Sequence, residues 1–277
     1  MNSKIRNITA GLFVLAILQT VAAQELPVDR VTVPFSDPVK PGLVKAGLIY
    51  GSITVKGYAG KEVIIEANSR TRKYSNRDSD EQRQGLKRIK IASTGLTVEE
   101  EENVMNVSVS SHMRTVDLKI QVPAKTSVKL STINNGDIFV ENVEGEIELN
   151  NTNGRIEALN VSGTVLANTT NGKVVVTLKK VDAEKPMSFV SFNGNVDVTL
   201  PATTRANLKM KSEQGDIFSD FDISLEEKNK LIKEDKRKKG GKYRIRVESA
   251  MYGMINGGGP EYYFSTYNGD IFIRKGK

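Results

Sequence analysis

Five glycines, Gly136, Gly145, Gly154, Gly163 and Gly172, fall nine residues apart, and this metre constrains the chain more than any other feature of it. Counting from each glycine, the second residue is Ile138, Ile147, Ile156, Val165 or Val174, and the fourth is Val140, Leu149, Ala158, Ala167 or Val176. The positions between are mostly polar, among them Asp137, Glu146, Glu148, Arg155, Glu157 and Lys173. Such alternation is the pattern of half-buried strands, whose side chains point to the two faces in turn. Asparagine precedes glycine at Asn135, Asn153 and Asn171 but not in the alternate slots, so the full repeat is eighteen residues carrying two strands. A unit this short cannot bury an apolar stripe alone and must stack on its neighbours. The metre predicts an all-β fold, a parallel β-solenoid or β-helix-like stack with two short strands per coil of about 18 residues. A meander of hairpins competes, because Asn-Gly between strands also marks a type I′ turn, but a meander needs no constant metre.

A second repeat joins distant parts of the chain. LKIQVPAKTSVKLSTINNGDIF (118–139) returns as VDVTLPATTRANLKMKSEQGDIF (196–218), and its ending returns in YYFSTYNGDIFIRK (262–275). If Ile138, Ile217 and Ile271 point inward, Phe139, Phe218 and Phe272 point outward on one side of the stack and form a candidate docking patch. Tyr262, Tyr263 and Tyr267 are expected to close the open end of the core. Asn142, Asn151 and Asn160, nine residues apart, are expected to hydrogen-bond as stacked amides between coils as well as to fill turns, while the asparagines before glycine, Asn193 and Asn268 included, are read as part of turns needing positive φ, which Asn and Gly tolerate.

Residues 1–23 read as a signal peptide: Lys4 and Arg6, an apolar run from Ile8 to Leu18, then Val21-Ala22-Ala23. That run is too short for a spanning helix, and no other follows, so the mature chain has no predicted transmembrane segment. Residues 24–46, with four prolines, read as an extended lead-in, and 47–277 as one repeat domain. Two excursions interrupt it: a charged loop at 68–87 and a basic insertion at 225–242, where 225–236 is open between a short helix and a loop. The formal charge of +7 becomes +5 without Lys4 and Arg6, and much of it lies in 228–246, including Lys236, Arg237, Lys238 and Lys239. A basic run on an exported chain without a recognition helix or RNA-binding aromatic motif argues against nucleic acid and leaves a solvated loop or a contact with anionic glycans or head groups.

The early GSITVKG, the VPAKTSVKLSTINNGDI block and the closing GGGPEYYFSTYNGDIFIRK resemble the bacterial β-strand-repeat envelope proteins called candidate adhesins, a domain of unknown function. The resemblance covers roughly 47–275. It implies a β-solenoid at or outside the cell envelope (periplasm, outer-membrane-associated or surface) and brings no catalytic residues with it.

Chemistry is sparse. The chain has no cysteine and one histidine, His112, so thiol and multi-histidine metal sites are out of reach, and no Gly-x-Ser-x-Gly elbow is present. Arg155 and Lys173 occupy slots where a serial calcium turn needs oxygen ligands. No cofactor and no metal are expected. The expectation is a non-enzymatic, envelope-associated binding or structural module whose partner is an envelope protein or a glycan. Two alternatives stand beside it: a carbohydrate-active enzyme on a β-helix, using outward carboxylates such as Glu148 and Asp197, and a periplasmic stress or scaffold component.

Overall fold

The computed structural model describes residues 29–70, 93–110, 114–226, 231–235, 243–247 and 250–277. The segment read as a signal peptide, most of the charged loop, His112 and Lys236 to Lys239 lie outside them. Every described element is a strand. An N-terminal group comprises β1 (Asp29–Pro34), β2 (Gly42–Tyr50), β3 (Ile53–Tyr58), β4 (Glu62–Ser69), β5 (Leu96–Glu101), β6 (Val104–Val109) and β7 (Val116–Pro123). The middle holds β8 (Thr126–Asn134), β9 (Ile138–Glu141), β10 (Glu144–Asn153), β11 (Ile156–Asn171), β12 (Val174–Val181), β13 (Met187–Asn193) and β14 (Val196–Leu200). The rest are β15 (Ala206–Ser212), β16 (Ile217–Ser219), β17 (Ser224–Glu226), β18 (Leu231–Asp235), β19 (Tyr243–Val247), β20 (Met251–Ile255), β21 (Glu261–Thr266) and β22 (Ile271–Lys275). β1 and the start of β2 fall within the segment read as lead-in, and 225–236 holds strand where a helix or a loop was open. Pro34 and Pro123 end strands, and Pro201 and Pro260 flank them, where a missing N–H costs no ladder bond.

Two ladders share one core. The first runs β1-β4-β7-β3-β9-β11-β12-β14-β22-β16, the second β5-β6-β2-β8-β10-β11-β13-β21-β15-β20-β17. The sixteen-residue β11 serves both, with a register shift between Ala158 and Ser162. Through the middle the pairing is parallel at an eighteen-residue offset: Ile138 pairs with Ile156 and Ile156 with Val174, each fully buried. At the ends β4, β5 and β20 pair antiparallel.

Order along the ladders departs from order along the chain. The layer β2/β3 lies between β6/β7 and β8/β9, and the C-terminal layer β21/β22 lies between β13/β14 and β15/β16. Among the described strands, β15, β16, β17 and β20 pair only with one another and with that C-terminal layer, which is therefore the seam joining them to the rest.

Inward columns fill the core: Ile53, Ile138, Ile156, Val174, Val196 and Ile271 on the first ladder; Ala46, Leu130, Leu149, Ala167, Phe189, Phe264 and Met210 on the second. Ala167 opposite Phe189 and a tilted Phe189–Phe264 contact at 5.1 Å show size alternating to keep the interior full. Burying each large aliphatic contributes about 1.5–3 kcal/mol.

Candidate interaction surface

The turns between ladders decide which side chains reach solvent. Gly51, Gly136, Gly154, Gly172, Gly194, Gly269 and Gly215 lie in successive layers, and a Cβ on any from Gly136 onward would overlap the carbonyl oxygen of the glycine before it. The nine-residue metre is thus two interleaved columns, since Gly145 and Gly163 approach each other at a separate corner. A buried hydroxyl column locks the stack: Thr132 Oγ1 donates to Gly51 O (2.8 Å), Thr169 to Gly154 O (2.8 Å), Ser191 Oγ to Gly172 O (2.8 Å), Thr266 to Gly194 O (2.9 Å) and Ser212 to Gly269 O (3.1 Å). Asn151 takes this role toward Gly136 O (3.1 Å), and its Oδ1 is left buried without a partner.

An amide ladder is present, but not where it was expected. Asn153 donates to Asn134 (2.8 Å), Asn171 to Asn153, Asn193 to Asn171 and Asn268 to Asn193 (2.7 Å each). Asn142 and Asn160 instead occupy left-handed corners (φ 56° each) and Asn151 is inside, because residues nine apart alternate between the two edges of a layer. Of the asparagines before glycine, Asn135 has a positive φ itself (59°), whereas after Asn171, Asn193 and Asn268 the glycine has it (158°, 153° and 152°). The others precede glycine because the adjacent layer leaves no room for a Cβ.

The residue before each ladder asparagine faces outward. Register aligns Ile49, Ile133, Thr152, Thr170, Phe192 and Tyr267 in one column along the second ladder. Ile49, Ile133, Phe192 and Tyr267 are 40, 44, 49 and 41 % exposed, so the column faces solvent as two apolar pairs separated by Thr152 and Thr170. Phe192 and Tyr267 stack nearly parallel at 4.8 Å, over a groove of about 400 Å³ that Asn168, Thr170, Lys211, Glu213 and Ser265 also line. Sequence reasoning missed this stripe because its members belong to four different layers whose adjacency only pairing reveals. The X-Asn-Gly pattern with X aromatic, at Phe192 and Tyr267, was the available signal for one of the two pairs.

The sequence-predicted patch is only partly assembled. Phe218 and Phe272 stack at 5.2 Å with Arg274 over Phe272 at 5.1 Å. Phe139 is on the same face, but Glu157, Val175 and Asp197 stand between it and Phe272. Four ladder steps of about 4.8 Å separate the two, roughly 19 Å. The GDIF copies at 136 and 269 are similar in sequence yet not adjacent in the stack. Tyr262 is fully buried and Tyr267 exposed, and their layer is internal, so these tyrosines do not close an end of the core.

The carboxylates are neutralised where they stand. Glu148 pairs with Lys129 (2.8 Å) and Glu146 with Lys185 (2.6 Å) on the second ladder, whereas Asp197 pairs with Arg274 (2.7 Å) on the first. The Asp197 hydrogen bond and charge hold the Arg274 guanidinium above its ordinary pKa. Asp137 accepts from the Arg155 amide (2.9 Å) and side chain (3.0 Å), and Asp270 from the Asp216 amide (2.9 Å). Among the described residues no three His, Cys, Asp or Glu side chains gather as a metal site, and no helix is long and apolar enough to cross a membrane.

No curated protein matches the chain. Among solved structures it is similar to a candidate cell adhesion protein from Clostridium sporogenes, at 13 % identity and a TM-score of 0.46 over 90 % of this chain and 100 % of that one. It is also similar to a candidate adhesin from Bacteroides fragilis, at 11 % identity and a TM-score of 0.37 over 91 % and 98 %. The profile of the family described as Toastrack DUF4097 matches residues 88–251, more than half of the sequence. With its glycine-stacked, all-β layers, the chain belongs to the Toastrack DUF4097 family.

Proposed function

We propose that this is a non-enzymatic binding module of the bacterial envelope: a β-solenoid with two short strands per coil that presents the flat face of its second ladder to a partner. The observation that carries the reading is the column from Ile49 to Tyr267, in which two exposed apolar pairs, Ile49 with Ile133 and Phe192 with Tyr267, stand on either side of Thr152 and Thr170. Exposed apolar side chains paired on a folded exterior are what docking sites offer. A hydrolase is disfavoured by the placement of the carboxylates, since Glu148 and Asp197 lie on different ladders and each has a basic partner, leaving no facing acid and base.

The adhesin-like names among the structural relatives are compatible with a surface role, and export rests on the reading of residues 1–23. The test is equilibrium binding of the purified chain to envelope fractions, intact, protease-treated or deglycosylated. Phe192→Ser with Tyr267→Ser is expected to weaken binding at least about tenfold, with unchanged thermal unfolding. Undiminished binding by that variant would remove the stripe as the site, and the two treatments separate a protein partner from a glycan.

A further inference from the structure

The rings of Phe192 and Tyr267 lie one ladder step apart and parallel to within 7°, so each stands over its own strand and Tyr267 covers one face of Phe192. On the other side the next rungs are Thr170 and Thr152, followed by Ile133. Neither threonine has a ring to continue the pile. The second face of Phe192 therefore opens onto a gap two rungs wide, bounded beyond Thr152 by the exposed Ile133. Two residues back along the strands runs a parallel outward column, Asn150, Asn168, Val190, Ser265 and Lys211. From Asn168 to Lys211 it is the floor of the 400 Å³ groove, three ladder steps or about 14 Å long, with Thr170 and the two rings as one wall.

The polar groups around this groove are uncommitted. Thr152, Asn168, Thr170 and Ser265 make no side-chain hydrogen bond among the described residues, although each carries both a donor and an acceptor. Asn150 donates to Glu148 (3.2 Å), and its own Oδ1 accepts nothing among the described residues. The charged side chains at the border are paired: Lys211 with Glu213, and Glu148 with Lys129. An anionic or cationic ligand thus finds no free counter-charge there. What the groove offers is one open aromatic face beside hydroxyls and amides.

We infer that this groove binds a short run of uncharged sugar units, one of them seated over Thr170 against the open face of Phe192. A pyranose presents a face of C–H bonds and an edge of hydroxyls. The C–H face suits the negative face of an aromatic ring, and the next rung places it at about the 4.8 Å ladder step, within stacking range. Sugar hydroxyls donate and accept at once, as do Thr152, Asn168, Thr170 and Ser265, so both partners are satisfied without charge. The groove is longer than one ring, so a chain of units fills it better than a monosaccharide. The inference rests on the reading of this face as a binding surface and names its ligand class.

The test is calorimetric titration of the purified full chain with neutral tetrasaccharides of glucose, mannose, galactose and N-acetylglucosamine, their monosaccharides and their sulfated counterparts. At least one neutral tetrasaccharide is expected to bind with a dissociation constant of about 1 mM or below, more tightly than its monosaccharide and its sulfated form. Phe192→Ala should weaken that binding about tenfold, and so should Asn168→Ala with Thr170→Val, with thermal unfolding unchanged for these exposed sites. Absence of binding to every neutral tetrasaccharide, preference for the sulfated forms, or indifference to Asn168→Ala with Thr170→Val would overturn the inference. The titration uses no envelope material, so its failure is distinct from failure of the binding-module reading. Envelope binding that is lost with Phe192→Ser and Tyr267→Ser, but survives deglycosylation and the Asn168 and Thr170 changes, would keep that reading and make the ligand a protein.

Discussion

Single side chains show where the stack is imperfect. Five of the six inward polar residues at the turn edge are threonine or serine, each spending its one donor on a glycine carbonyl; Asn151 spends one of two amide hydrogens there, donates again to Arg155 O (3.3 Å) and strands its Oδ1. Asn151→Thr should keep the bond to Gly136 and remove the buried orphan, a gain of about 1 kcal/mol. In a chain of this size that raises the melting temperature by about 2–4 °C, and an unchanged or lowered value would mean that the orphan is satisfied by water. Tyr262 is another case, beside Thr204: its hydroxyl is buried without a partner, and burial, aided by the negative charge of Asp182, pushes its pKa from 10.0 up to about 12. Because the folded pKa is raised, the neutral phenol's contribution is complete below pH 10 and is lost as pH rises toward 12. Melting curves at pH 9 and pH 11.5 should therefore diverge more for the native chain than for Tyr262→Phe.

Turns and strands behave as repeated parts. A side chain on Gly154 or Gly172 would have to occupy the place of the preceding turn's carbonyl, so Gly172→Ala should cost more than about 2 kcal/mol by denaturant titration, whereas Gly257→Ala meets no atom closer than the end of Arg205 and is strained only by its φ of +82°. Within one strand the two faces can be told apart. Ile147, almost wholly buried, becomes an unpaired buried carboxylate as Ile147→Asp and should unfold the protein. Glu148→Lys loses one surface ion pair with Lys129 and should cost less than about 1 kcal/mol. Equal effects would reverse the face assignment of β10.

For the molecule as a whole, the seam is the decisive feature. The layer 261–275 carries Tyr262, Phe264, Ile271 and Ile273 into the core and, among the described residues, is the only strand pairing between β15/β16 and the body of the ladders. Deleting 257–277 should strip hydrogen-exchange protection from 206–226 as well, while 138–178 keeps its protection. Protection persisting in 206–226 would show that this end holds to the body by other contacts.

From the sequence alone, the period of the glycines and the alternation of Ile138, Val140, Ile147 and Leu149 determined that the chain is all-β, that strands within 138–178 recur every eighteen residues and which side of each faces the core. Those properties are local, written in spacing that a strand converts directly into direction. What only the tertiary structure decided is which layer touches which: that Phe192 meets Tyr267, that Phe139 stands apart from Phe272, that Asn153 and Asn171 form an amide ladder and Asn142 does not. Similar layers present similar edges, so the order in which they pair is set by the few that differ. The tight crossover at Gly259 and the large side chains of β21 are such differences, and their consequences appear only once the chain has closed on itself.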